Sequence, residues 1–241
     1  MAIRRPTGRD VDRLVAPSHQ RSVDQFVAEV ARTRPVGART TQRLVFALDA
    51  TASRQATWDL ACELHAELFT EAASLGNIAI QLCYYRGINE FVATPWTTEP
   101  TRLEHSMRAV SCRGGRTQIA RLLSHAAREA AQLPLRTLVF IGDCFEEDET
   151  EVLELAGQLA IRKLPVFIFQ ERGDRRATRI FRSIAALTHG AHVPFDSNSP
   201  DQLKRLLAAI ARYTTGGRAA LEDYSRRNSQ ARALLTQLGR S

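Results

Sequence analysis

Along this chain, short continuously apolar runs alternate with longer stretches in which apolar residues recur every three or four positions. Residues 43–48 read RLVFAL, 78–85 read IAIQLCYY and 137–141 read TLVFI. Runs with so little polar alternation suit strands that are covered on both faces. Weaker strand signals follow at 166–170 and 191–194. Another lies at 90–94, where Gly87 and Asn89 supply a turn that lets a short strand pair back on 78–85. Helical periodicity fills the intervals at 55–74, 103–110, 117–132, 149–162, 176–187 and 200–213. Gly76 and Asn77 stop the first of these, and Gly216-Gly217 separates the last from a final amphipathic pattern at about 218–238. This succession predicts an α/β fold in three layers. Its sheet is doubly wound and mostly parallel, with one short antiparallel edge strand and helices on both faces.

With 241 residues, 44% of them hydrophobic and 24% charged, the chain has material for one large domain with appendages. It divides into a basic N-terminal extension (1–40), a main domain (41–214) and a C-terminal amphipathic helix (215–241). The extension holds one short helix at 22–32 with Val23, Phe26, Val27 and Val30 on one face. The C-terminal helix carries Ala220, Leu221, Tyr224, Ala231, Leu234, Leu235 and Leu238, a set too apolar to leave in water, so it is expected to pack back on the main domain. No run approaches the ~18–20 apolar residues of a membrane span. Arg4, Arg5 and Arg9 have no apolar stretch behind them, so no secretory leader is expected and the chain reads as cytoplasmic. Cys62, Cys83, Cys112 and Cys144 form no C-x-x-C pair and read as reduced thiols, the first two as core residues.

Charge changes the picture only at the ends. Residues 1–40 and 212–241 each carry +4, which leaves −1 for 41–211. Such ends suit RNA, an acidic protein or an anionic surface, but no RNA-recognition motif or aromatic–basic interleaving accompanies them. Solvated helix faces are the plainer reading. Lys163 and Lys204 are the only lysines against 31 arginines, which suggests a GC-rich bacterial source.

In a doubly wound sheet, ligands bind outside the C-terminal strand ends. Asp49 directly follows the first strand and Asp143 follows 137–141. If those strands are neighbours, two carboxylates meet on one rim. Asp49-Ala50-Thr51-Ala52-Ser53 places a carboxylate and two hydroxyls at alternate positions, which share a direction in extended chain. Hard oxygen ligands with few charges suit Mg2+ (or Mn2+), which takes near-octahedral geometry at about 2.0–2.1 Å. Helix capping would account for one hydroxyl. It leaves Asp49 unexplained, because a carboxylate behind a buried strand is costly unless paired. Residues 113–117 (RGGRT) deliver the Thr117 hydroxyl at a helix start, and Gly142-Asp143 ends a strand. Taken singly these are an N-cap and a turn, but both fall on the same end of the sheet.

Asp49, Thr51, Ser53, Thr117 and Asp143 together resemble the metal-ion-dependent adhesion site of von Willebrand factor A (VWA) domains. That family has D-x-S-x-S after its first strand, a threonine in a glycine-bearing loop before a later helix, and an aspartate after its fourth strand. The order of elements from 43 to 213 is similar as well. Two departures stand out: Thr51 replaces the first serine, and Arg116 separates the glycine pair from Thr117. The resemblance implies that the three hydroxyls contact the metal and that the aspartates act directly or through water. It also implies an open coordination position that takes an Asp or Glu from a partner protein. The expected function is a metal-dependent protein–protein interaction module, an adaptor for an AAA-type ATPase, a chelatase or a chaperone.

Other classes are weaker. A Mg2+-dependent phosphohydrolase of the haloacid-dehalogenase type needs a second Asp where Thr51 stands, and an RNA-binding scaffold would rest on the basic ends alone. No nucleophile is patterned beside a general base, so no catalysis is expected. Cys144 follows Asp143, whose charge should make its thiol less acidic. Glu146, Glu147, Asp148, Glu149 and Glu151 read as the solvated acidic start of a helix. His65 and His125 read as surface or boundary residues, His189 and His192 as no ligand pair, and Trp96 as packing its own loop.

Overall fold

A computed structural model describes residues 41–55, 69, 74–75, 78–195 and 200–238. The helix expected at 22–32, most of that at 55–74, Cys62 and His65 lie outside the described residues. The strands are β1 (Gln42–Asp49), β2 (Ile78–Arg86), β3 (Glu90–Ala93), β4 (Thr137–Gly142), β5 (Val166–Glu171) and β6 (Ala191–Phe195). They form one sheet in the order β3-β2-β1-β4-β5-β6. Every pairing is parallel except β2 with β3, the short edge strand that folds back across the turn at Gly87.

Alternation along each strand shows why the runs are apolar throughout. Leu44, Phe46 and Leu48 of β1 enter one core cluster, and Val45 and Ala47 enter the other. In the same way Val139 and Ile141 of β4 oppose Leu138 and Phe140, and Phe167 and Phe169 of β5 oppose Val166 and Ile168. The helices α1 (Pro100–Arg108), α2 (Ile119–Gln132), α3 (Glu149–Ile161), α4 (Arg175–Leu187), α5 (Pro200–Ser225) and α6 (Ser229–Gln237) cover both faces. Leu122 and Leu123 of α2, Leu159 of α3 and Phe181 of α4 fill one cluster. Leu103 of α1 fills the other, with Leu206 and Ile210 of α5 and Leu234 of α6.

Helix ends differ from expectation where local chemistry overrides periodicity. Pro100 stands at the start of α1, three residues before the apolar pattern begins. Gln118, at φ −134 and ψ 47, is not helical, so α2 starts at Ile119 rather than Thr117. The single helix expected at 218–238 is two. Gly217, at φ 63 and ψ −154, breaks the helical path inside α5. Asn228 then caps α6, its side-chain oxygen accepting from Gln230 N and Ala231 N. The segment is docked: Leu221, Ala231 and Leu234 are fully buried in the cluster that holds Phe167, Ala191 and Val193. Gln237 Oε1 accepts from His192 N at 2.8 Å, which satisfies a backbone donor on the edge strand β6.

His125 is buried rather than at the surface, with Nε2 2.8 Å from Gln81 Oε1. Its helix face packs on the sheet, and burial lowers its pKa. His192 is likewise buried against Gln170 Oε1 at 2.8 Å, its pKa pushed by burial to about 4. Trp96 holds its loop, with the Arg43 guanidinium 3.9 Å above its ring and its Nε1–H donating to Glu129 Oε2 at 3.0 Å. Cys83 lies in the core as expected. Among the described residues no helix is long and apolar enough to cross a membrane.

The docked tail makes a stability prediction. Leu234→Ala is expected to cost about 2–5 kcal/mol, the usual penalty for truncating a fully buried leucine. Leu235→Ala, at a partly buried neighbour, should cost clearly less. Urea denaturation of the two variants measures the difference, and equal midpoints would show that α6 does not contribute to the fold in this way.

Candidate metal centre

The chain runs from β1 outward to β2 and β3, then returns to the far side of β1 as β4. Strand order therefore reverses between β1 and β4, and that crevice is where open α/β sheets take ligands. Leu48 pairs with Ile141, so Asp49 and Asp143 emerge side by side from the two strands. Both are buried, at 0% and 3% exposure. A carboxylate oxygen from each and the sulfur of Cys144 all lie within 4.8 Å of one another. Asp49 is held from two directions: Oδ1 accepts from Thr51 N at 2.8 Å, and Oδ2 accepts from the Tyr85 hydroxyl at 3.0 Å. Asp143 is held loosely. Its Oδ1 is buried with no hydrogen-bond partner among the described residues, and its Oδ2 is 3.7 Å from Arg172 Nη1.

Burial raises the pKa of Asp49. Bonds from Thr51 and the charge of Arg54 oppose the rise, and the charge of Asp143 adds to it. Two carboxylates this close, out of water and with one oxygen unpaired, are a donor set that a hard divalent cation would complete. Cys144 is half-buried, and burial, then the charges of Asp143 and Asp49, push its thiol up. Without a metal the thiol stays protonated.

Thr51 is extended and stands where a short 3-10 turn (Ala52–Arg54) begins, yet its side chain makes no capping bond. Its hydroxyl meets that of Ser53 at 3.0 Å instead. Thr51 is buried and Ser53 exposed. Thr117 joins the group at one remove: its Oγ1 accepts from Glu146 N at 3.0 Å, three residues beyond Asp143. The structure thus brings together Asp49 with Asp143 and Thr51 with Ser53, and ties Thr117 to the loop that carries Asp143.

The glycine-bearing loop is fixed from both sides. Arg113 N donates to Ala50 O at 3.0 Å, and Arg116 N donates to Gly87 O at 3.2 Å. A Cβ on Gly115 would fall 1.9 Å from Gly87 O, so glycine alone permits this approach. The Arg116 side chain is exposed. The acidic run after Asp143 is divided rather than being one solvated helix start. Glu147 accepts from Ile119 N at 2.6 Å and Ala120 N at 2.8 Å, capping α2 across the loop. Asp148 caps α3, and Glu149 pairs with Arg176 and Arg179.

Four residues of the site escaped the sequence reading. Tyr85 reads as one more apolar strand residue, but it pairs in register with Asp49, and burial drives its hydroxyl pKa well up. Arg54, just before the helix expected at 55–74, carries no sequence signal; it is 1% exposed. Its Nε donates to Glu171 Oε2 at 2.9 Å, and Nη1 reaches Asp49 O at 3.0 Å and Ile141 O at 3.5 Å. It therefore ties the C-terminal ends of β1, β4 and β5. Glu171 lies one residue past the expected end of β5, where the strand-end rule would have found it. Arg172 carries no sequence signal at all.

No protein-family model matches the sequence, and no curated protein is similar to it by sequence. Solved structures are similar in fold. A von Willebrand factor type A protein from Catenulispora acidiphila superposes with a TM-score of 0.59 at 12% identity, over 73% of this chain and 43% of that one. The SpRpn10 VWA domain gives 0.55 at 12%, over 71% and 95%. An aerotolerance-related membrane protein from Bacteroides fragilis gives 0.54 at 18%, over 70% and 99%. The chain has the VWA fold, a Rossmann-like α/β architecture.

Two predictions follow from the site's electrostatics. Arg54→Met should destabilise by about 3–5 kcal/mol because it leaves Glu171 charged and buried without a partner. The double variant Arg54→Met/Glu171→Leu should recover most of that loss, as denaturant titration would show; a double variant no better than the single one would mean that packing, not charge, is at stake. The second concerns Asp49, whose carboxyl is held above its unfolded value. Between the two values the folded chain binds more protons than the unfolded one, so this group's contribution falls as pH rises through that window. Asp49→Asn should therefore melt higher than wild type at neutral pH in a chelator, with the gain vanishing in acid below the unfolded carboxylate value. A gain independent of pH would assign it another cause.

Proposed function

We propose that this chain is a metal-dependent protein–protein interaction module. Its Mg2+ or Mn2+ would be held by Asp49, Thr51, Ser53, Thr117 and Asp143, and a partner's Asp or Glu would complete the site. The observation that supports this reading best is the buried, unpaired Oδ1 of Asp143, on a carboxylate with an oxygen within 4.8 Å of one from Asp49. A divalent ion supplies an electrostatic anchor there for an incoming carboxylate. The charges suit such a ligand: two fixed carboxylates offset one divalent ion, so a further carboxylate meets no excess of fixed anions. Asp49 is oriented by Thr51 and Tyr85 before any ion arrives. The exposed Ser53 opens the site to a partner.

The reading is of a binding protein and not an enzyme. Cys144 is kept protonated, and the buried histidines His125 and His192 are each bonded to a glutamine away from the carboxylates. An adaptor working with an ATPase, chelatase or chaperone in the cytoplasm is the role we assign to such a module.

Mg2+ or Mn2+ should raise the melting temperature of the wild type. A ligand at about 100 times its Kd adds roughly 2.7 kcal/mol. Asp143→Asn should lose the shift while keeping its circular dichroism spectrum. A full shift in that variant would remove Asp143 from the site. Hydrolysis of a generic phosphate ester that depends on metal and on Asp143 would replace the binding role with a catalytic one.

A further inference from the structure

β5 ends at Glu171, and the next residue, Arg172, is left-handed at φ 62. That conformation is unfavourable for a residue with a Cβ. The chain turns there so that the guanidinium comes back over the candidate metal centre. Arg172 Nη2 donates to Ser53 O at 2.6 Å, and Nη1 lies 3.7 Å from Asp143 Oδ2. One side chain thus bridges the loop after β1 and the end of β4, which are the two halves of that centre. We propose that Arg172 is the resident cation of the Asp49–Asp143 site: a tethered plug that neutralises Asp143 in the metal-free protein, must leave when a divalent ion enters, and so sets the affinity for metal. This inference rests on the metal-centre reading above.

Three observations carry it. First, Asp143 needs a cation. It is 3% exposed, and Arg172 is the only positive group within ion-pair distance of it among the described residues. Second, the hold is releasable. The Arg172 side chain is 52% exposed and its contact with Asp143 is long, whereas Arg54 and Glu171 are locked at 2.9 Å with 1% and 2% exposure. The one short bond of Arg172 is to a backbone carbonyl, which keeps the guanidinium at the mouth without committing it to the carboxylate. Third, the charges are exclusive. Two carboxylates can be neutralised by one divalent ion, and a guanidinium left against Asp143 would then face that ion at short range with nothing to offset it. Arg116 and Arg113 are also near the rim by sequence and strand bridging, but Arg113 is drawn to Glu90 and neither has an ion pair to Asp143. The plug is therefore a property of Arg172 itself.

Mn2+ titration by calorimetry of wild type, Arg172→Gln, Arg172→Lys and Asp143→Asn tests the proposal, with melting curves in chelator and in saturating Mn2+. Arg172→Gln should bind Mn2+ about tenfold tighter than wild type, a typical coupling between two competing occupants of one site. It should melt below wild type in chelator, where Asp143 has lost its cation, and at the wild-type temperature in saturating Mn2+. Arg172→Lys keeps the charge and should stay close to wild-type affinity. Binding by Arg172→Gln where wild type shows none supports the same conclusion. Equal affinities, with binding abolished in Asp143→Asn, overturn the plug and leave the metal centre standing. An Arg172→Gln variant that is weaker in affinity and less stable in both conditions also overturns it, since that is the pattern of a structural role. Absence of binding in both wild type and Arg172→Gln removes the metal centre and the plug together.

Discussion

Burying Asp49 and Asp143 side by side is the constraint around which this end of the molecule is arranged. Each carboxylate lies behind an apolar strand, out of water, and the charge of Asp143 adds to the cost of charging Asp49. Their neighbours answer that cost in graded ways. Thr51 N and the Tyr85 hydroxyl give Asp49 two donors. Asp143 has the Cys144 thiol, the distant guanidinium of Arg172 and one oxygen left over. The asymmetry matters, because a fully bonded pair would be a closed structural network. A pair with one oriented member and one unfinished member is what the proposed cation site requires.

The fold supplies the position, and a second set of contacts supplies the stiffness. Reversal of strand order between β1 and β4 makes the crevice. Arg54 then closes the floor beneath it, joining carbonyls at the ends of β1 and β4 to the carboxylate that ends β5. Its charge is matched by Glu171, so its main contribution is geometric. Above the floor, Gly115 lets the loop before α2 press against the turn at Gly87. Glu147 caps α2 from the loop that carries Asp143, and Thr117 takes the amide of Glu146 in that same loop. Loops after β1, β2 and β4 are thereby fastened to one another, which is how segments without regular structure can hold side chains to within fractions of an ångström.

The fold was legible because its strands are covered on both faces. A strand in that situation has no polar side to confuse with a helix, and RLVFAL and TLVFI announce themselves. Two acids at the ends of the strongest strands marked the rim, but their meeting depended on β1 and β4 being neighbours, which only the sheet order supplies. What stayed hidden was chemistry without local pattern. Periodicity runs straight through 218–238, so the break before Asn228 could not be read from it; the cap is visible only once the helix is known to stop. His125 falls on a helix face whose burial depends on Gln81, far along the chain. Arg54 and Arg172 were opaque for the same reason. In a chain with 31 arginines, nothing local marks the two that turn inward over a site 117 to 119 residues away.

Those two arginines also set the charge balance of the site. Threonine for the first serine changes little in kind: Thr51 keeps a hydroxyl, and that hydroxyl already faces Ser53. A cation beside the aspartates weighs more, because charge at short range outweighs a methyl group. Arg54 is paired with Glu171, and its charge still eases that of Asp49. Arg172 has no such partner of its own and draws on Asp143, so the metal-free site carries one net negative charge where two bare carboxylates would carry two. Any ion that enters must therefore displace a charge as well as water. A module of this kind would engage its partner only when the divalent ion is abundant enough to win that exchange, and the strength of the contact between Arg172 and Asp143 would set the threshold.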